Sequence, residues 1–206
     1  MVKDFETPES LIKGINLSIE NAKTMFSCAS QIMKLGHYGL ANSLFILCCE
    51  ESIKAFALYN HFLIDDNRDV TAIFKSHSEK LQILKEGFHL IRSETLAMEK
   101  SIKQAILELP NEEDHKIEKR ARELQAENFK LFYESYTEDK KNREWWDSAN
   151  IFKQNGFYVG YSDSKWTSPS HISLSQVEDT AFKAKLILGH VIQYQNPDIL
   201  KFKSKR

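Results

Sequence analysis

Residues that make tight turns are scarce in this sequence: of 206 residues, 4 are proline and 7 are glycine. A turn-rich all-β fold needs turn signals roughly every 8–12 residues, so the shortage points to a mostly α-helical protein. Cysteine is also sparse. Cys28, Cys48 and Cys49 are the whole complement, and no Cys-x-x-Cys pair occurs. Adjacent Cys48 and Cys49 would point about 100° apart on a helix, a poor geometry for bonding each other. Buried free thiols are the expectation, which fits a reducing cytoplasm. An excess of one charge is missing as well. The formal net charge is −1, so the molecule as a whole offers no strong field to attract nucleic acid. The basic tail Lys201–Arg206 reads as a frayed, solvated terminus. The opening residues lack an apolar h-region, so no signal peptide is expected. The apolar stretch Leu44–Ile64 carries three charges near its centre and does not read as a membrane span.

What is present suits one domain, or one domain with a small appendage. Hydrophobic residues make up 42% of the chain and aromatics 11%, enough for a sizeable core, while 28% charged residues solvate the surface. Thr7-Pro8-Glu9-Ser10 is a helix-start signature. Leu11, Ile15, Ile19, Ala22, Met25, Phe26, Ala29 and Ile32 then recur at helical spacing toward a stop near Gly36. A second helix is predicted from Tyr38 to Ile64, with Asp65–Arg68 as a polar break. Ser76-His77-Ser78-Glu79 fits a capping box opening a third helix. A fourth runs from Glu94 to Leu109 and closes at Pro110; a fifth, highly charged, runs from Asn111 to Phe132.

Composition shifts after residue 142. Trp145-Trp146 and the run from Gly156 through Tyr161 and Trp166 to Thr167 read as a short β-hairpin with a polar turn. Ser173 restarts a helix that reaches Tyr194, with Pro197 beyond it. The predicted organisation is a helical bundle over residues 1–142 with a C-terminal appendage, hairpin plus final helix, over 143–206 and packed on the bundle. No internal repeat or low-complexity tract is evident.

The second helix is apolar nearly all round, yet Glu50, Glu51 and Lys54 sit near its middle. Buried charges are costly unless paired and hydrogen-bonded, so these three either hold a bundle together or line a site. On a helical wheel Lys54 lies about 40° from Glu50, and Ser43 and His61 each about 20° from it. The segment carries one narrow polar stripe, Ser43/Glu50/Glu51/Lys54/His61. The plain alternative is an ion pair between Glu50 and Lys54, in the favourable acid-before-base order one turn apart.

Three blocks of residues follow one another along the chain. They are Ala41-x-x-Leu-Phe-Ile-Leu-Cys-Cys-Glu50-Glu51-x-x-Lys54, Phe74-x-x-His77-x-x-Lys80, and Lys153-Gln-Asn-Gly156-Phe-Tyr158-Val159 before Trp166-x-x-Pro169. This succession resembles the AbiV family of bacterial abortive-infection proteins, placed among the HEPN-type helical domains, over roughly Gly14 to Ile172. The resemblance implies a helical bundle and a homodimer. It also implies an antiphage effector that is silent until infection and then blocks translation, through RNA as many HEPN domains do, with a phage-encoded activator or target. Two features depart from that pattern. No arginine is followed within four to six residues by a histidine, as in the usual HEPN ribonuclease motif. Lys153 and Gly160 stand where an arginine and an acid are expected, and lysine keeps the charge but not the bidentate fork.

Metal-free RNA cleavage needs a base for the 2′-hydroxyl, an acid for the leaving oxygen and cations for the phosphorane. A histidine can serve as base or acid near neutral pH, and His77 is the candidate. Lys54 and Lys80 can stabilise phosphate charge, and Glu50 or Glu51 can orient them or act as base. These five are the candidate catalytic residues, with Lys153 and Tyr158 as candidate binding residues. Two carboxylates beside a phosphate are electrostatically awkward, which leaves a structural role or Mg²⁺ open. No second acidic cluster with ligand spacing supports a metal, so no metal site and no cofactor is assigned. The rival to an RNA-directed enzyme is a non-catalytic interaction protein that binds a phage or host component, its polar stripe serving as a structural ion-pair network. No span or signal suggests a membrane partner, and the expected location is the cytoplasm.

Overall fold

The computed structural model describes residues 7–64, 70–136, 140–162 and 164–195. Helix α1 (Pro8–Lys34) starts where its signature predicts. The Thr7 hydroxyl accepts a hydrogen bond from the Ser10 N–H at 3.2 Å. Pro8 occupies a first-turn position where no amide hydrogen is needed, and Glu9 adds negative charge there. Leu11, Ile15, Ile19, Ala22 and Ala29 form its buried face. The helix stops in a Schellman turn. The Gly36 N–H bonds the Met33 carbonyl at 3.0 Å and the His37 N–H bonds that of Ile32 at 3.2 Å, with Gly36 at φ +82°.

That turn feeds directly into α2 (Tyr38–Ile64). Phe45, Ile46, Cys48, Cys49, Ile53, Ala55 and Leu58 are all buried, so the helix is covered on nearly every side, as its sequence implies. It packs on α1 and on the last helix, α7 (Leu174–Ile192). Ser173 and Gln176 close a full capping box at the start of α7. A 3₁₀ turn, Gln193–Gln195, follows α7 and brings Tyr194 onto Tyr59 with ring centroids 3.8 Å apart. Burial pushes the Cys48 thiol up to about 12 and raises that of Cys49 well above its ordinary value. Neither is a reactive thiolate near neutral pH.

Two parts of the expected element order are corrected. After the short α3 (Ala72–Lys75), the third and fourth predicted helices are one, α4 (His77–Glu108). Between Leu84 and Leu96 nothing forces a stop: Gly87 is tolerated within the helix, and Ser93, just before the expected start at Glu94, is buried inside it. The charged fifth helix is α5 (Asp114–Tyr136). The second correction concerns Trp145, Trp146 and Gly156-Phe157, which belong to a sixth helix, α6 (Lys140–Phe157), and not to the hairpin. Trp146, Ala149, Lys153 and Gly156 are buried at spacings of three and four residues, the signature of one helical face. The hairpin itself is present but shorter. Strand β1 (Gly160–Ser162) pairs antiparallel with β2 (Lys165–Thr167), with Tyr161 opposite Trp166. The predicted polar break at Asp65–Arg68 lies outside the described residues.

The chain folds as two compact units, Met1–Leu84 with Glu144–Arg206, and Lys85–Arg143. The composition shift after residue 142 falls next to the point where the chain returns to the first unit. In the first unit α1, α2 and α7 make the core. In the second, Ala105 of α4 packs with Ala121, Leu124 and Ile117 of α5. There the buried Asn128 amide donates to Ser101 Oγ at 2.8 Å, and Arg120 meets Glu108 at 2.7 Å. No helix among the described residues is long and apolar enough to cross a membrane.

Gly36 offers a clean test of the α1 stop. A Cβ there would meet nothing within 4 Å, so Gly36→Ala acts only through the left-handed backbone. It is expected to lower unfolding stability by about 1–2 kcal/mol, read as a lower urea midpoint with an unchanged slope.

Candidate functional site

The stripe on α2 meets α6 at a close crossing. A Cβ built on Gly156 would lie 2.1 Å from Ser43 Oγ and 2.2 Å from the Gly39 carbonyl oxygen. Only glycine permits this approach. A Cβ on Gly39 would likewise fall 2.4 Å from the Pro169 carbonyl oxygen, where the 3₁₀ turn Pro169–His171 crosses. Ser43 ties the crossing together, donating its hydroxyl hydrogen to the Lys153 carbonyl at 2.6 Å. One turn of α2 after Ser43 comes Ile46, and one turn further is Glu50. The crossing therefore sets α6 in the register that carries the Lys153 side chain back to Glu50.

Glu50 is the hub of the site. Its side chain is 1% exposed. Lys153 donates to Oε1 at 2.5 Å, while His77 and Lys80, both in the first turn of α4, reach Oε2 at 3.0 and 3.4 Å. The two lysine side chains are each 9% exposed, whereas the His77 ring is 59% exposed. His77 Nδ1 also lies 3.4 Å from Lys153 Nζ. A donor cannot serve a donor, and the carboxylate is the nearer partner. The nearer carboxylate assigns the ring proton to Nδ1, directed at Glu50, and Nε2 makes no hydrogen bond among the described residues. The start of α4 is held by Ser76, whose Oγ accepts from the Glu79 N–H at 3.2 Å.

Burial alone would raise the Glu50 carboxyl. The Lys153 hydrogen bond and charge, with the charges of Lys80 and His77, outweigh it and hold the group below its ordinary value of 4.5. Three cationic or ionisable groups around one carboxylate leave the cluster with an excess of positive charge.

Of the residues singled out in the sequence, Glu50, His77, Lys80 and Lys153 are brought together. The others stand apart. Lys54 bonds Glu51 at 2.5 Å, one turn along the same helix, and its ammonium lies 5.7 Å from the Phe74 ring centroid. The plain alternative, an ion pair between Glu50 and Lys54, is not the one formed. Tyr158 is exposed just past the end of α6, with its ring beside that of Phe157. His61 is half-buried, and its Nδ1 has no hydrogen-bond partner among the described residues.

One polar group escaped the sequence reading. Lys183 of α7 is buried, bonds Asp179 at 2.5 Å and lies 4.7 Å from the centroid of Trp145. The signal was available as an acid-before-base pair at i,i+4 on a helix. Its partner on α6 is not legible in the same way, because the aromatic Trp145 reads locally as a strand residue.

The described residues thus define a helical protein with a carboxylate–histidine–lysine cluster and a short terminal hairpin. Residues 10–185 match a family model, HEPN_AbiV, described as AbiV. The chain belongs to this HEPN-type AbiV family, and the membership implies an abortive-infection, antiphage role. No curated protein and no solved structure matches it.

Because the folded Glu50 value lies below the unfolded one, its contribution to stability is complete above about pH 4.5. It is lost as pH falls through the folded value. Glu50→Gln leaves two nearly buried lysines without their counter-charge, a defect of about 3–5 kcal/mol. The stability gap between the wild type and this variant should be largest at neutral pH and shrink steadily below pH 4.5. Chemical denaturation across pH 3–7 tests this, and a gap independent of pH contradicts it.

Proposed function

We propose that this protein is an abortive-infection effector that acts on RNA and thereby blocks translation. The observation that carries the reading is the mostly exposed His77 ring, tied by Nδ1 to a buried carboxylate, which leaves Nε2 as its unbonded nitrogen among the described residues. In this reading Nε2 takes the proton from a ribose 2′-hydroxyl. The 2′-oxygen bonds to phosphorus, the bond from phosphorus to the 5′-oxygen breaks, and that oxygen takes a proton from solvent. The products are a 2′,3′-cyclic phosphate and a free 5′-hydroxyl. Lys80 and Lys153 offset the charge that develops on the phosphoryl oxygens. Glu50 orients His77 and stabilises the imidazolium, the task of the acid in a carboxylate–histidine pair. Glu51 is neutralised by Lys54, which removes the electrostatic objection to placing a phosphate here.

A second reading has its own support. Three of the four groups are nearly covered, and together they join α2, α4 and α6, as a structural ion-pair network would. The effect would then come from binding a phage or host component.

One comparison separates the two. Purified protein is incubated with total cellular RNA, with and without extract from phage-infected cells, alongside His77→Ala. The catalytic reading expects fragments ending in cyclic phosphate, a loss of about 10²–10⁴-fold in rate for the variant, and near wild-type stability, since the ring is mostly exposed. Growth arrest and translation block that persist undiminished in His77→Ala overturn it in favour of the structural network.

A further inference from the structure

Phe74 opens the block Phe74-x-x-His77-x-x-Lys80, yet it takes no part in the Glu50 cluster. It lies in the short α3, and its ring is 43% exposed. Local chemistry fixes it there. Val70 and Ile73 are both buried and pin this segment to the first unit. The Phe74 N–H closes the turn on the Thr71 carbonyl at 3.1 Å. Successive residues of a helical turn point about 100° apart, so burying Ile73 turns Phe74 outward.

The ring stands beside the cluster. The Lys54 ammonium lies 5.7 Å from its centroid, and Lys54 follows Glu50 by one turn of α2, a Cβ separation of about 5–6 Å. Glu50 in turn bonds His77 at 3.0 Å. Two rings are thus anchored on successive turns of one helix, His77 by a carboxylate and Phe74 by an ammonium. That ammonium is itself fixed, because Glu51 accepts from it at 2.5 Å. A cation within about 6 Å of an aromatic centroid is attracted to the ring face, so the Glu51–Lys54 pair holds Phe74 in place. Lys75, next in the chain, is exposed, and the cluster itself carries an excess of positive charge. Cations for the backbone and an exposed ring for a base are what a single-strand binding surface is made of.

We propose that Phe74 is the base-stacking residue of the His77 site. It takes an unpaired base of single-stranded RNA next to the phosphate that His77 and the lysines engage, and the Glu51–Lys54 pair positions it. Point charges hold a phosphate but leave the sugar and base free to swing. A ring stacked on the base removes that freedom and brings the 2′-hydroxyl into line with His77. Every base has a flat π-face, so the contact selects unpaired bases over paired ones and carries no strong sequence preference. A protein docking on the same ring would show no such dependence on strandedness.

This inference rests on the RNA reading above and deepens it. The test uses the full chain and binding alone. A labelled 2′-fluoro oligoribonucleotide of mixed sequence, which has no 2′-hydroxyl to attack its own backbone, is titrated by fluorescence anisotropy, alongside the matching duplex. Phe74→Ala should weaken single-strand binding about tenfold or more and leave duplex binding unchanged, while Phe74→Trp retains the single-strand affinity. Lys54→Met should lose part of that affinity and Lys54→Arg should keep it. Phe182→Ala, at a ring on α7 that is 57% exposed, should have no effect. Single-strand binding indifferent to Phe74→Ala, or a loss equal for strand and duplex, overturns the proposal. Folding of each variant is checked by far-ultraviolet circular dichroism, and Phe74→Leu, apolar without a flat ring, stands in if the alanine variant unfolds. RNA cleavage with unaltered single-strand affinity in Phe74→Ala defeats this inference and spares the catalytic reading. Ring-dependent binding without cleavage supports this inference and defeats the catalytic reading, and no binding to single strands overturns both.

Discussion

The Glu50 carboxylate is the constraint from which the site is built. A carboxylate buried to this degree loses several kcal/mol of solvation, and only close cations with good geometry restore it. Here they come from two separate helices, Lys153 on α6 and the His77/Lys80 pair on α4. An apolar core could join the same helices at equal or lower cost in stability. What an apolar core could not do is fix their register, because hydrophobic contact is non-directional and the bonds to Oε1 and Oε2 are not. The charge cluster and the glycine crossing act together. Gly156 and Ser43 bring α6 against α2, and Glu50 selects the turn of α6 that faces it.

This arrangement sorts the polar stripe on α2 by depth. Ser43 serves the helix crossing, Glu50 serves the cluster, and Glu51 with Lys54 forms a self-contained pair nearer the surface. Residues that a helical wheel places within a narrow sector thus do three separate things. The wheel gives azimuth and not neighbours. Which of two adjacent glutamates meets Lys153 depends on where α6 crosses, a tertiary fact.

Much of the fold was legible for identifiable reasons. Thr7-Pro8 and Gly36 delimit α1 through local chemistry alone, and the same holds for the Ser173/Gln176 box that starts α7. The unbroken apolar character of α2 foretold its burial on all sides. His77 and Lys80 could be read as partners of the stripe, one turn apart on a capped helix. The failures also have physical causes. Glu94 stands where a fourth helix is expected to begin, yet it lies inside α4, one residue after the buried Ser93. Aromatic, β-prone Trp145-Trp146 and the glycine at 156 suggested a strand, although burial at 146, 149, 153 and 156 follows a helical period. Gly156 is a helix breaker by propensity, tolerated because α2 leaves no room for a side chain. That one misassignment hid both the Lys153–Glu50 bond's helical origin and the contact of Lys183 with the Trp145 ring.

The central claim is that Glu50 fixes the His77 ring with its proton on Nδ1 and its Nε2 free. Long-range proton–nitrogen correlation spectra of the ¹⁵N-labelled protein, recorded on the neutral ring, measure this directly. The account predicts that His77 is the Nδ1–H tautomer, the minor form of free imidazole, and that it reverts to a mixture dominated by Nε2–H in Glu50→Gln. An Nε2–H tautomer in the wild type, or one indifferent to residue 50, contradicts it.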